Sequence, residues 1–290
     1  MQRRRSIRRA LLALALATPL SAAPVLAADP RLPPGQDPGG QAIAFIASGV
    51  DYASERIAPR VARDGEGEMI GWDFVDNDRF PYAPPAATPA EPEAADPTSA
   101  AAAMLAAYAR GRMIPVRIGA GDAMELAKAI GFAANTPARI VAVAVPLATP
   151  DMRRVVREAS ARFKDHLFVV QAQLPEAAAP ATAGAGPASV NDNLLNLGNV
   201  LVVAASGEVD GKRATPIIEA VDVIVVPRGS TMFVAPPVAP PRNGMEAVAM
   251  AAAAAACQGH GAANGPPLGS AAKAAPLDVA RPLESMRSVR

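Results

Sequence analysis

Between residues 113 and 226 the chain alternates short, predominantly apolar runs with helix-length segments, and this pattern restricts the fold more than any other feature. The runs are 113–118 (MIPVRI), 139–145 (RIVAVAV), a core at 167–170 (LFVV), 200–204 and 221–226. A strand with one wet face would alternate apolar and polar residues. A run that is apolar at nearly every position, without alternation, is buried on both faces. Residues 123–134, with Asp122 placed to cap them, and 151–164 read as the intervening helices. Alternating buried strands and helices predict an α/β fold with a mainly parallel central sheet covered by helices on both faces.

The remaining segments extend this scheme in both directions. Residues 42–46 (AIAFI) predict a buried strand that ends in a turn at Ser48-Gly49. Residues 70–74 predict a second short strand around Trp72. Residues 98–110 and 244–256 are Ala-rich and predict two further helices. Residues 81–97 (PYAPPAATPAEPEAADP) can hold neither a helix nor a central strand, because proline lacks the amide donor. That segment is a solvated surface loop or a polyproline element for a partner.

The chain begins with Arg3, Arg4, Arg5, Arg8 and Arg9, an apolar stretch over 10–20, and small residues up to Ala28. This is the pattern of a secretory signal peptide over 1–28, cleaved after Ala27 or Ala28. The apolar stretch is too short for a stable membrane span. The expected product is exported, periplasmic or secreted, with no stable membrane insertion. Without the leader, the chain carries 23 basic and 27 acidic residues, a net charge of −4. With 4% aromatic residues as well, nucleic-acid binding loses its electrostatic and stacking basis. The expected organisation is a Pro/Gly-rich extended arm over 29–40, one domain over 41–257, and a Gly/Pro/Ala-rich tail of low order over 258–290.

Candidate chemistry is sparse. One cysteine, Cys257, excludes an intramolecular disulfide. Cys257 and His260 form half of a metal motif, with no second pair to complete it. His166, beside Asp165, is a polar residue in a helix–strand connection or a relocated base. Ser48, Ser99 and Ser230 lie near turns, where capping roles are common. Asp73, Asp76 and Asp78 form a compact acidic group that is a candidate for hard-cation binding; Arg79 stands next to it.

Residues 42–52 (AIAFIASGVDY) and 71–78 (GWDFVDND), in this order, resemble the opening segments of subtilisin-like serine peptidases, or subtilases. Residues 199–206 (NVLVVAAS), 221–229 (VDVIVVPRG) and the helix starting near Met245 are similar to later elements of that family. The resemblance covers roughly 42–256 and implies a three-layer subtilisin-like fold, serine endopeptidase ancestry and, for the Asp group, calcium. It also places Ala47, Pro97, Pro175 and Gly244 where the family has its aspartate, histidine, oxyanion asparagine and serine. A one-residue slip at the second position puts Asp96 at the base. A triad needs nucleophile, base and orienting carboxylate within reach of one another. In subtilisin itself, loss of one member already removes most of the rate. The resemblance therefore implies a chain inactive as a protease, binding a peptide or protein partner, with no cofactor. The enzyme-class alternative is a serine-type endopeptidase with relocated catalytic residues. Asp96 with Pro97, and Asn243 with Glu246, also have the pattern of ordinary helix starts.

Overall fold

A computed structural model describes residues 29–83, 96–109, 111–172, 194, 197–205, 207–209, 212–214, 223–225, 243–257 and 259. The signal-peptide segment 1–28, residues 84–95 of the Pro-rich loop, Pro175, Ser230, His260 and nearly all of the 258–290 tail lie outside the described residues.

Seven strands form one sheet: β1 (Ala42–Ala47), β2 (Trp72–Asp73), β3 (Arg112–Arg117), β4 (Ile140–Val143), β5 (Leu167–Gln171), β6 (Val200–Ala205) and β9 (Val223–Val225). Their order is β2-β3-β1-β4-β5-β6-β9, and each neighbouring pair is parallel. The short strands β7 (Gly207–Val209) and β8 (Lys212–Ala214) pair antiparallel outside this sheet. That hairpin was not among the sequence expectations. The four described α-helices are α1 (Pro97–Tyr108), α2 (Ala123–Ala134), α3 (Pro150–Arg162) and α4 (Gly244–Cys257).

Alternation along β1 divides the core in two. Ile43, Phe45 and Ala47 face a cluster that includes α1 and α4, whereas Ala42, Ala44 and Ile46 face a cluster that includes α2 and α3. Both faces are dry, so β1 is apolar throughout. Helix α4 is buried over ten consecutive residues, Glu246 to Ala255, because it is packed between the sheet and α1. It has no polar face for that reason, and alanine lets the two helices approach closely. Among the described residues no helix is long and apolar enough to cross a membrane.

The steps β2–α1–β3 and β3–α2–β4 run the same way across the sheet, yet α1 and α2 cover opposite faces. The two crossovers therefore have opposite hands. That departs from the single hand of nearly all such units. The amides of Arg112 and Ile118 point to β1, so those of the odd-numbered residues of β3 point toward β2. The absent amide of Pro115 falls on that outer side, where β2 pairs only with Val116 and Arg117.

The expected strand at 70–74 is shortened to two residues. Ile70 is drawn into a local turn-back, with its amide on Ala62 O at 2.9 Å, and Asp73 opens a side-chain-bonded turn. The arm is tied down by one carboxylate. Asp37 Oδ1 accepts from Arg112 Nη1 and from Gly39 N, each at 2.6 Å, and Oδ2 accepts from Arg63 N at 2.9 Å. Tyr52 donates its hydroxyl to Pro30 O at 2.7 Å.

Burial works against the Asp37 charge, but bonds from Arg63, Arg112 and Gly39 outweigh it and hold its pKa below the usual value of 3.8. A depressed folded pKa contributes stability above the unfolded value, and the contribution disappears as pH falls through the folded one. Asp37→Asn is expected to cost about 1–3 kcal/mol at pH 7. The deficit should shrink below about pH 4. Urea denaturation at the two pH values measures both effects.

Candidate functional site

The sheet reverses its winding at β1. The chain leaves β1 toward the β2 side, whereas β4 leads on to β5 on the other side. In open parallel sheets, ligand sites form at the carboxyl ends of strands around such a point. Four segments meet that end here: the turn after β1, the start of α1, the end of β5 and the start of α4.

Ala47 ends β1 and is fully buried, with a methyl group and no carboxylate. Gly49 follows at φ 130°, and an added Cβ would collide with Ala83, so only glycine turns the chain here. Val50 N donates to Pro81 O at 3.0 Å and closes this turn.

Helix α1 starts as its local sequence dictates. Asp96 is the N-cap and Pro97 the first helical residue, where a missing amide costs nothing. Asp96 Oδ2 accepts from Ser99 N at 3.0 Å and from Ser99 Oγ at 3.1 Å. Ser99 Oγ in turn accepts from Asp51 N at 3.0 Å. The Asp96 carboxylate is thus engaged in the cap and its serine. Ser48 Oγ and Thr98 Oγ1 are 3.0 Å apart and share a hydrogen bond between the turn and the helix. This hydroxyl pair, with Ser99, is the polar chemistry at the junction of β1 and α1.

Helix α4 starts with Asn243, whose Oδ1 accepts from Glu246 N at 3.0 Å, and Gly244 is its first residue. An added Cβ at Gly244 would overlap Gln171 Nε2, Cδ and Cγ, all closer than the 3.0 Å that real Cβ contacts essentially never breach. Gln171 is the last residue of β5, where the apolar run yields to an amide side chain. In the sequence its only signal is that loss of hydrophobicity at the strand end.

The other candidates lie elsewhere. His166 is 3% exposed and precedes β5. The register places Leu167 against Ile140, and Ile140 against Ile43. His166 is therefore at the amino end of the sheet, opposite the crevice. Its Nδ1 is 3.0 Å from Asp165 Oδ1 and its Nε2 is 3.3 Å from Arg139 Nη1. Since Arg139 can only donate, Nε2 accepts, and the Nδ1–H faces the carboxylate. Cys257 is at the far end of α4, with Sγ 3.6 Å from Tyr108 O.

The acidic group is a bonded turn. Asp73 is fully buried; its Oδ1 accepts from Val75 N at 2.7 Å and Asp76 N at 3.0 Å, and its Oδ2 from Arg117 Nη1 at 2.7 Å. Asp76 Oδ2 also accepts from Arg117 Nη1, at 2.5 Å. Asp78 Oδ1 accepts from Phe80 N at 2.7 Å, and Asn77 turns the chain at φ 57°. Burial lowers the Arg117 pKa, but bonding to Asp73 and Asp76 outweighs it and holds the pKa above the usual arginine value. A guanidinium thus stands where a cation would sit, and the three carboxylates do not fit a metal site. Among the described residues no group of three or more His, Cys, Asp or Glu is arranged to hold a metal ion.

No protein-family model and no curated protein matches the chain. Among solved structures the chain is similar to a cold-adapted subtilisin-like serine proteinase, at 16% identity and a TM-score of 0.46, over 79% of this chain and 81% of that one. It is also similar to the PatG macrocyclase in complex with peptide, at 14% identity and a TM-score of 0.42, over 83% of each chain. A third similarity is to the epidermin leader peptide processing serine protease of Staphylococcus aureus, at 10% identity and a TM-score of 0.43, over 85% of this chain and 75% of that one.

Proposed function

We propose that this chain is an exported protein with a subtilisin-like scaffold that binds a peptide or protein partner and does not cleave it. The observation that carries the reading is the chemistry at the carboxyl end of the sheet. Ala47 ends β1, Pro97 starts α1 and Gly244 starts α4, so the three positions offer no carboxylate, imidazole or hydroxyl. The nearby hydroxyls of Ser48, Thr98 and Ser99 bond to one another or to the Asp96 cap, and among the described residues no imidazole lies beside them. A serine needs a base within hydrogen-bond reach to become a nucleophile. Export follows from the leader pattern over 1–28.

Two readouts on the 29–290 chain test this. A fluorophosphonate serine probe, with a heat-denatured control, is expected to leave the folded protein unlabelled. Fluorescein-labelled casein is expected to gain anisotropy on mixing and to yield no fragments. Labelling of one serine in the folded state alone, or fragments of casein, would establish the relocated-catalyst reading instead. Unchanged anisotropy would count against peptide binding.

A further inference from the structure

We propose that Gln171 is a built-in occluder of the α4 N-terminus. Its side chain fills the space that any side chain at position 244 would need, and so it keeps that position closed to chemistry and restricted to glycine. The inference rests on the reading above, which makes the start of α4 part of the functional crevice.

The geometry is specific. Gly244 begins a 14-residue helix, and its backbone does not require glycine: its φ lies outside the left-handed region, unlike that of Gly49 at 130°. Conformation alone would therefore favour alanine there, because replacing glycine at a compatible position restricts the unfolded chain. What excludes a larger residue is Gln171. Its Cγ, Cδ and Nε2 all lie within 2.5 Å of an added Cβ. Gln171 cannot withdraw simply by bending at its tip, since Cγ is itself in the way. Its backbone is fixed in the sheet opposite Val203, and Ala172 N donates to Val203 O at 2.8 Å. A nucleophile could not be restored at 244 by substitution at that position alone. The carboxamide at the end of β5 would also have to be removed.

The test separates sterics from conformation by sign. Gly244→Ala is expected to lower Tm by roughly 3 °C or more, as overpacking does in a chain of this size. In the Gln171→Gly background the same change is expected to raise Tm or leave it unchanged. A Gly244→Ala chain that fails to fold, while the double variant folds, has the same meaning. A Gly244→Ala chain as stable as the parent, or a double variant that falls below the Gln171→Gly chain by as much as Gly244→Ala falls below the parent, overturns the proposal.

A second readout uses reactivity. In a Cys257→Ala background, Gly244→Cys is expected to react with a small thiol reagent at least tenfold more slowly when Gln171 is present than when it is Gly. Equal rates overturn occlusion. Neither outcome depends on the fluorophosphonate result, so failure of the occluder and failure of the non-catalytic reading are told apart.

Discussion

Replacing Asp73 with alanine is expected to destabilise the protein by about 3–5 kcal/mol, the cost of breaking a buried charge pair from one side. Asp73 is fully buried and accepts three hydrogen bonds. Its loss leaves the largely buried Arg117 guanidinium with Asp76, whose side chain is 56% exposed and so holds the charge in a wetter setting. It also strands the amides of Val75 and Asp76, each of which loses its acceptor. Asp73→Asn keeps the shape and one acceptor and should cost less. Replacing both partners with apolar residues of similar volume should recover part of the loss, because the desolvation penalty disappears together with the attraction. Chemical denaturation of the three variants measures this. If Asp73→Ala shifted stability by less than about 1 kcal/mol, the pair would contribute no more than an exposed one.

Phe45→Ala should have an effect of similar size, about 3–5 kcal/mol. Phe45 is fully buried in β1, opposite Pro115 of β3 and Ala142 of β4, and it faces the cluster with α1 and α4. That cluster contains many alanines, among them Ala101, Ala102, Ala249 and Ala252. Such neighbours have no side-chain reach with which to fill the vacated volume, so the cavity term should be near its upper end. Phe45→Leu should cost clearly less. A ratio near one between the two losses would mean that the helices collapse onto the sheet, contrary to the packing described.

The sequence expectations were most accurate where the controlling contacts are local. The caps at Asp96, Asp122 and Asn243 bond to amides two or three residues ahead, and all three start helices as their sequences imply. Helix α2 has the expected bounds, Ala123–Ala134, for the same reason. Where a distant segment competes, the local reading fails. Ile70 belonged to an expected strand but is taken by Ala62, and Asp73 carries its ion pair to Arg117 across 44 positions. The acidic group looked like a cation site because carboxylate spacing is visible in a sequence and the arginine that neutralises it is not. Gln171 was missed on similar grounds: a polar residue at a strand end is ordinary until α4 is laid against it.

Most of the main sheet's elements and their layering were already written in the amino-acid order. Predominantly apolar, non-alternating runs between helices predict a parallel sheet that is dry on both faces, whichever order the strands take. The same order of residues shows that Ala47, Pro97 and Gly244 carry no carboxylate, imidazole or hydroxyl group. Which ends meet is a property of the folded arrangement. Folding put α1 on the face opposite α2, joined Ser48 to Thr98 across 50 positions, and set Gln171 against Gly244. Periodicity reports the environment of one side chain at a time, and caps act within a few residues. A contact between strand end and helix start is fixed by register and packing, quantities that exist only once the whole sheet has formed.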